Sequence, residues 1–385
     1  NHTPDMLARL TRLFPGASAL ADAPALDEAR IGGLPALDYA DLPGTPAVTA
    51  HEPVTPILLS ADTVVAQVLT SGSTGAPMPH PKVWDRLVLN IAAEARRVAE
   101  HLGRPDLRGV VLVGTVPPHH MYGFESTVLL AMRGGASFAT ERPFFPAEIA
   151  DVLAALPRPR VLVTTPFHLK NLLDAGIALP PVDLVVSATA PLSPQMAARA
   201  EAALQGPLME IYGCTEAGQV ATRRTTDGPE WTTFDGLRLS GDGAESVVQG
   251  GHVQQPTPLA DVLEVIDAQR FRLLGRSNDL INIAGKRSSL SHLNFHLNSI
   301  DGVRDGAVWL PPADEAAGVE AVQRLTAFVV PEAGLTRETL LARLRERVDA
   351  AFLPRPIVFV DSLPRDPTGK LPSGRLADWA ATLKR

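Results

Sequence analysis

The sequence holds a single cysteine, Cys214, in 385 residues. One thiol excludes an internal disulfide framework and makes a cysteine-based zinc site untenable, and it fits a reducing cytoplasm. There is no excess of basic residues: the net charge is −7, and no basic run offers a nucleic-acid surface. No apolar stretch approaches the ~18 residues that a membrane-spanning helix requires. The opening "NHTPDMLARL" lacks the basic-then-apolar pattern of a secretory leader, and it lacks an initiator Met, which points to processing or trimming. What remains, at 45% hydrophobic and 20% charged residues, is the composition of an ordinary soluble globular protein, long enough for more than one domain.

Proline is abundant, with 35 residues. Many fall in the first 60 positions, where neither helical nor strand periodicity persists, so an irregular leading segment is expected there. From Val64 the pattern sharpens. "VVAQVL" reads as a strand. Trp84, Leu87, Val88, Ile91, Ala95, Val98 and Leu102 then recur at spacings of three and four, which predicts a helix with one apolar face. "GVVLVGTVP", "RVLVTTP", "VDLVVSA" and "PLMEIYG" read as strands buried on both faces, alternating with the helical "FESTVLLAMRGG" and "SPQMAARAEAAL". The predicted fold is therefore α/β, a mainly parallel sheet covered by helices, with functional loops beyond the carboxyl ends of the strands. Short alternating segments ("DVLEVI", "RFRLLG") predict a β portion after it. A small α+β domain follows, with "ETLLARLRERVDAAF" as a helix and "PIVFVDSL" as a strand. The domains are expected to span 1–277 and 278–385.

Several loops carry chemistry. "TSGSTGAPMPHPK" (70–82) empties a strand into hydroxyls and glycines, where phosphate oxygens meet unobstructed N–H groups. It matches neither the P-loop nor the dinucleotide pattern, and alone it reads equally as a plain turn. "SATAPLS" (187–193) and "IYGCTEAG" (211–218) each follow a buried strand and share that rim. Tyr212 offers a flat ring for a purine and Thr215 a hydroxyl for a phosphate. Glu216 offers a carboxylate for Mg²⁺, which is content with few protein oxygens beside substrate phosphates. Asp261 and Arg276 bracket a predicted hairpin, where a carboxylate and a guanidinium suit the hydroxyls of a ribose. Lys370 stands on the exposed loop "LPRDPTGKLPSGR". His119 and His120 are adjacent and point apart, with no further ligand at zinc spacing. Cys214 reads as a small buried thiol.

Taken in order, "TSGSTGAP", "SATAPLS", "YGCTE", "GRSNDLINIAGKR" and "LPRDPTGK" resemble the adenylate-forming superfamily of acyl-CoA synthetases, adenylation domains and luciferases, over residues 60–385. The resemblance implies activation of a carboxylic acid by ATP to acyl-AMP, then transfer to a phosphopantetheine thiol. It implies that Thr70, Ser71, Gly72, Ser73, Thr74 and Gly75 hold the ATP β- and γ-phosphates. Thr189, Ala190 and Pro191 would line the adenine, Tyr212 would stack on it with Gly213 beside it, and Thr215 would contact the α-phosphate. Glu216 would bind Mg²⁺, Asp261 with Arg276 would hold the ribose, and Lys370 would bridge the attacking carboxylate and the α-phosphoryl group. The small domain would turn about Asn278, bringing Lys370 in and out.

Two departures stand out. Met78 occupies a position where the family has lysine, the next lysine being Lys82, which either leaves the loop to its N–H groups and hydroxyls or enters by another path. Asn278 replaces the usual hinge Asp or Lys. The part before Thr70 is short for the family, which allows a homodimer contact or a narrowed substrate range. "VPPHHMYGFE" (116–125) resembles the segment that walls the acid pocket, with His120 as its gate. His, Met and aromatic residues there suit a flat or unsaturated acid such as a hydroxybenzoate. That segment and the short length also resemble the stand-alone ligases of aryl-polyene and xanthomonadin pigment clusters, which load a carrier protein. The acceptor is thus a carrier protein or CoA. The rival reading is a non-catalytic descendant that binds acyl-adenylate or a carrier protein without turnover.

Overall fold

Runs such as "RVLVT" and "LVVS" are apolar at nearly every position, which suits only a strand covered on both faces. In the computed structural model these runs form the middle of a nine-stranded sheet. Residues 4–21, 35–38, 58–71, 77–241, 245–276, 280–283, 285–311, 324–365, 371 and 373–383 are described. The chain divides into two compact units, 1–58 and 59–385. In the first, a helix Pro4–Leu13 precedes parallel strands Ala19–Ala21 and Ala36–Asp38.

In the second unit, strands Ser137–Phe138, Val111–Gly114, Arg160–Thr164, Leu184–Ser187 and Leu208–Cys214 lie side by side and parallel. Their residues alternate between two cores. Val161, Val163, Leu184, Val186, Met209 and Ile211 face the cluster containing Leu87, Ile91 and Val98 of the helix Trp84–His101. Leu162, Val185 and Leu208 face Ile149, Leu169 and Ala200 on the helices of the other side. The helix Pro194–Leu204 starts where expected, and Pro166–Asp174, which was not predicted, starts in the same way, with Pro at the first position and Ser193 or Thr165 accepting a backbone N–H as cap.

The β portion does not form one separate sheet. Strands Gly218–Arg223, Glu230–Thr233, Arg270–Arg276 and Asp261–Val265 continue the central sheet in antiparallel order, and only Leu237–Ser240, Val247–Gly250 and Val253–Pro258 stand apart as a three-stranded sheet. A strand Pro77–Val83, paired with Val64–Ser71, was not expected because it carries three prolines. They sit at alternate positions, 77, 79 and 81, so all three missing N–H groups fall on the outer edge and the partner strand loses none.

The small C-terminal domain has its own sheets, Leu280–Ile283 with Lys286–Ser289 and Val303–Trp309 with Thr326–Pro331 and Ile357–Phe359. Its helices Leu290–Asn298 and Arg337–Arg345 enclose a core around Leu297, Val329 and Leu340. A mixed α/β fold with a large sheet domain and a small C-terminal domain is thus in place. Among the described residues no helix is long and apolar enough to cross a membrane.

Candidate active site

Because the strands ending at Gly114, Thr164, Ser187 and Cys214 run parallel, the loops after them share one rim. That rim carries His120, Thr189, Ala190, Pro191, Thr215 and Glu216. His120 is exposed and stands just before a helical turn, Met121–Gly123, that continues as a π-helical stretch, Phe124–Leu129. Such stretches concentrate at functional sites, since the extra residue re-aims side chains. Thr189 has φ +81, a left-handed backbone that a β-branched residue adopts only under constraint. Part of the constraint is visible. Leu192 N–H donates to Glu210 Oε1 at 3.1 Å, and Glu210 in turn pairs with Arg223 at 2.6 Å.

The Thr215–Glu216 corner lies in the tight turn between Leu208–Cys214 and Gly218–Arg223, where Cys214 pairs with Gly218. A Cβ on Gly213 would meet the Gly218 carbonyl oxygen at 2.4 Å, so this crossing requires glycine. Cys214 is a free thiol pushed up to about 11 by burial, which removes it as a nucleophile at neutral pH. Tyr212 packs edge-on against Trp231 and Phe271, and its hydroxyl donates to Asp261 Oδ2 at 2.8 Å. The ring is 7% exposed, so little of it is left for a base. Asp261 stands opposite Arg276 in strand register. Three strands separate Tyr212 from Asp261 in the sheet order. At ~4.8 Å per strand a tyrosine cannot span a flat sheet, so the sheet curls to bring them together.

Thr70 and Ser71 end the strand opposite Met78 and Pro77. Gly72, Ser73, Thr74, Gly75, Asn278 and Lys370, and the Arg276 side chain, lie outside the described residues.

A buried polar cluster was missed from the sequence. Asn90 and Glu94 lie on the apolar stripe of the helix Trp84–His101, in step with Leu87 and Val98, and that misplaced polarity was the available signal. Asn90 Nδ2 donates to Glu125 Oε1 at 2.8 Å, on the π-helical stretch. Lys82 Nζ donates to the Thr215 carbonyl. His252 is buried, held neutral and pushed down to about 4 by desolvation. Lys82, Asn90, Glu125, Glu216, Gly218 and His252 line one cavity of about 100 Å³. Asn90 Oδ1 and His252 Nε2 have no hydrogen-bond partner there. A Cβ on Gly218 would lie 3.3 Å from Asn90 Nδ2 and 3.6 Å from His252 Nε2, which measures how closely the two converge.

Burial raises the Glu125 carboxyl to about 8, with Glu94 adding repulsion and Lys82 opposing it. Burial raises Glu94 to about 7, and Ser126 and Gln219 offset this only in part, since neither completes a hydrogen bond to it. An acid whose folded value exceeds its ordinary 4.5 loses stability as pH rises from about 4.5 towards 8. Glu125→Gln is therefore expected to gain on the unsubstituted protein by a few kcal/mol between pH 5 and pH 8 in urea unfolding. Parallel pH curves for the two proteins would show that Glu125 is ionised in the folded state.

Among the described residues no group of three His, Cys, Asp or Glu side chains could cage a metal ion. A lone carboxylate, Glu216, fits Mg²⁺ completing its shell with phosphate oxygens and water, and does not fit zinc.

A large sheet domain with a small C-terminal domain is the arrangement of adenylate-forming enzymes. The AMP-binding enzyme family matches residues 15–267, and its C-terminal domain matches residues 297–370. The chain belongs to that family and is an AMP-forming acid–thiol ligase. It is 32% identical over 319 residues to a 4-coumarate–CoA ligase of Rhodobacter capsulatus, covering 81% of this chain and 77% of that one. A second 4-coumarate–CoA ligase, from Halorhodospira halophila, is 30% identical over 319 residues, covering 78% and 73%. The fold is similar to that of ATP-bound MatB from Rhodopseudomonas palustris, with a TM-score of 0.76 at 20% identity over 100% of this chain and 83% of that one. A benzoate CoA ligase from Burkholderia xenovorans gives 0.73 at 18% identity, over 97% and 82%.

Proposed function

We propose that this ligase activates a small aromatic or unsaturated acid of the hydroxybenzoate type. Its carboxylate attacks the α-phosphorus of ATP, the bond to the β-phosphate oxygen breaks, and pyrophosphate leaves. A phosphopantetheine thiol, of CoA or of a carrier protein, then attacks the acyl carbon and AMP leaves. The names of the relatives support CoA as acceptor, and resemblance to carrier-protein ligases keeps the second acceptor in play.

The observation that carries the substrate class is the similarity to two 4-coumarate–CoA ligases, and the cavity of about 100 Å³ beside Glu216 adds to it. A cavity of ~150 Å³ holds benzene, so one of about 100 Å³ admits only the hydroxylated edge of a ring. Its lining is polar. Asn90 Oδ1 and His252 Nε2 are buried without partners, and a hydroxyl on the acid would donate to one of these acceptors where a plain hydrocarbon would not.

In this reading Thr70, Ser71 and the glycine-rich turn after them receive the β- and γ-phosphates, and Thr189, Ala190 and Pro191 border the base. Tyr212 orients Asp261, which with Arg276 takes the ribose. Thr215 meets the α-phosphate, and Glu216 holds Mg²⁺, which when bound would offset charge on the phosphate oxygens. The domain from 278 to 385 turns about Asn278 to deliver Lys370, a cation placed where two anions must meet.

The test is acid-dependent pyrophosphate release over benzoate, 3- and 4-hydroxybenzoate, 4-coumarate and straight-chain acids, followed by thioester detection with CoA or holo-carrier protein. A hydroxylated aromatic acid is expected to lead its deoxy analogue by about 100-fold or more in kcat/KM. Preference for a straight-chain acid would overturn the substrate class. Changing His120 to Ala or Phe is expected to reorder the acids by about tenfold while the KM for ATP stays within about twofold, in steady-state assays. An effect on ATP alone would remove His120 from the acid pocket.

A further inference from the structure

Lys82 approaches the Thr215–Glu216 corner from the strand Pro77–Val83, four residues beyond Met78. Only 9% of it is exposed. Its ammonium donates to the Thr215 carbonyl, and no carboxylate of a described residue lies within ion-pair distance of it. Burial pulls its ammonium below the usual lysine range, and Glu125 on the π-helical stretch and Cys214 and Glu216 on the turn oppose this only in so far as they are ionised. Arg86 and neutral His252 complete the charged and titratable groups around the same cavity. A buried ammonium without an ion pair is expensive, and such groups persist where their charge is used.

Resting on the adenylation reading, we propose that Lys82 is a positioning residue for the first half-reaction: its ammonium fixes the Thr215–Glu216 turn by the Thr215 carbonyl and supplies a positive charge beneath the ATP phosphates. The turn has no ladder partner of its own between Cys214 and Gly218, so the bond from Lys82 anchors a carbonyl that the sheet does not. Thr215 Oγ1 and the Glu216 carboxylate are then held in place when nucleotide arrives. As the carboxylate attacks and pyrophosphate departs, negative charge builds on the phosphate oxygens, and a fixed cation in a poorly hydrated place is worth more than one in water.

The experiment compares Lys82→Met with the unsubstituted protein in melting temperature, ATP affinity by calorimetry, and the two half-reactions. Lys82→Met is expected to melt within a few degrees of the unsubstituted protein. It should lose about 100-fold in kcat for acid-dependent pyrophosphate release and about tenfold in ATP affinity, with thioester formation from pre-made acyl-AMP changed less than about threefold. Lys82→Cys treated with 2-bromoethylamine restores an ammonium one sulfur removed from lysine. A Cys214→Ala background, assayed first by itself, leaves position 82 as the single thiol. Activity should return, and since the thioether makes this amine less basic, the alkaline limb of the pH–rate profile should move to lower pH. Equal loss in both half-reactions with a collapsed melting temperature and no rescue would make Lys82 merely structural. Pyrophosphate release by Lys82→Met within about threefold of the unsubstituted protein would also overturn the proposal. Absence of ATP binding and of pyrophosphate release in the unsubstituted protein would instead refute the adenylation reading, and this proposal with it.

Discussion

Lys370→Ala is expected to lower acid-dependent pyrophosphate release by about 10³-fold, while the rate of thioester formation from pre-made acyl-AMP stays within about threefold. The physical reason is that only the first half-reaction forces two anions, carboxylate and triphosphate, into contact. In the second, a thiol meets a carbonyl already activated by AMP, and a cation at that point has little charge to offset. Stopped assays of each half-reaction decide it. Equal losses in both would show that Lys370 belongs to the fold of its domain rather than to a delivered charge, and the turning of 278–385 about Asn278 would lose its support.

The second large effect concerns Glu210. Its side chain is 3% exposed and that of Arg223 10% exposed, at 2.6 Å. Thr225 and the Leu192 N–H also donate to Glu210, and the Arg223 guanidinium stacks 4.5 Å over the Trp231 ring. Glu210→Ala would leave a buried guanidinium without its counter-charge and is expected to cost about 3–5 kcal/mol in urea unfolding. The same change frees the Leu192 amide, next to Pro191, so the KM for ATP should rise along with the loss of stability. Glu210→Gln with Arg223→Met removes both charges together and should recover most of the stability, because a buried pair replaced by apolar and amide groups of similar volume is close to neutral. A double variant no more stable than Glu210→Ala would show that the pair contributes through packing alone.

The remaining residues divide according to how locally their interactions are written. The parallel strands could be read because "RVLVT" and "LVVS" bury both faces, and the helix Pro194–Leu204 could be read because Ser193–Pro194 announces its start. The strand Pro77–Val83 could not, since propensity rejects proline and only the pairing register shows that the prolines at 77, 79 and 81 leave the partner's side intact. Asn90 and Glu94 were visible as polar positions on an apolar stripe, yet nothing nearby in sequence names Glu125 or His252 as their company.

By itself the sequence determined the layered α/β arrangement, the order of the loops on one rim, and the membership of an acid-activating family, because period, caps and short motifs are each satisfied within a few residues. Only the tertiary structure decided that Tyr212 would orient Asp261 across three intervening strands, that Glu210 would tether Leu192 through a buried pair, and that Lys82 would come up beneath Thr215. Those contacts depend on the twist of a nine-stranded sheet and on the price of burying charge, and both are properties of the assembled fold rather than of any one segment.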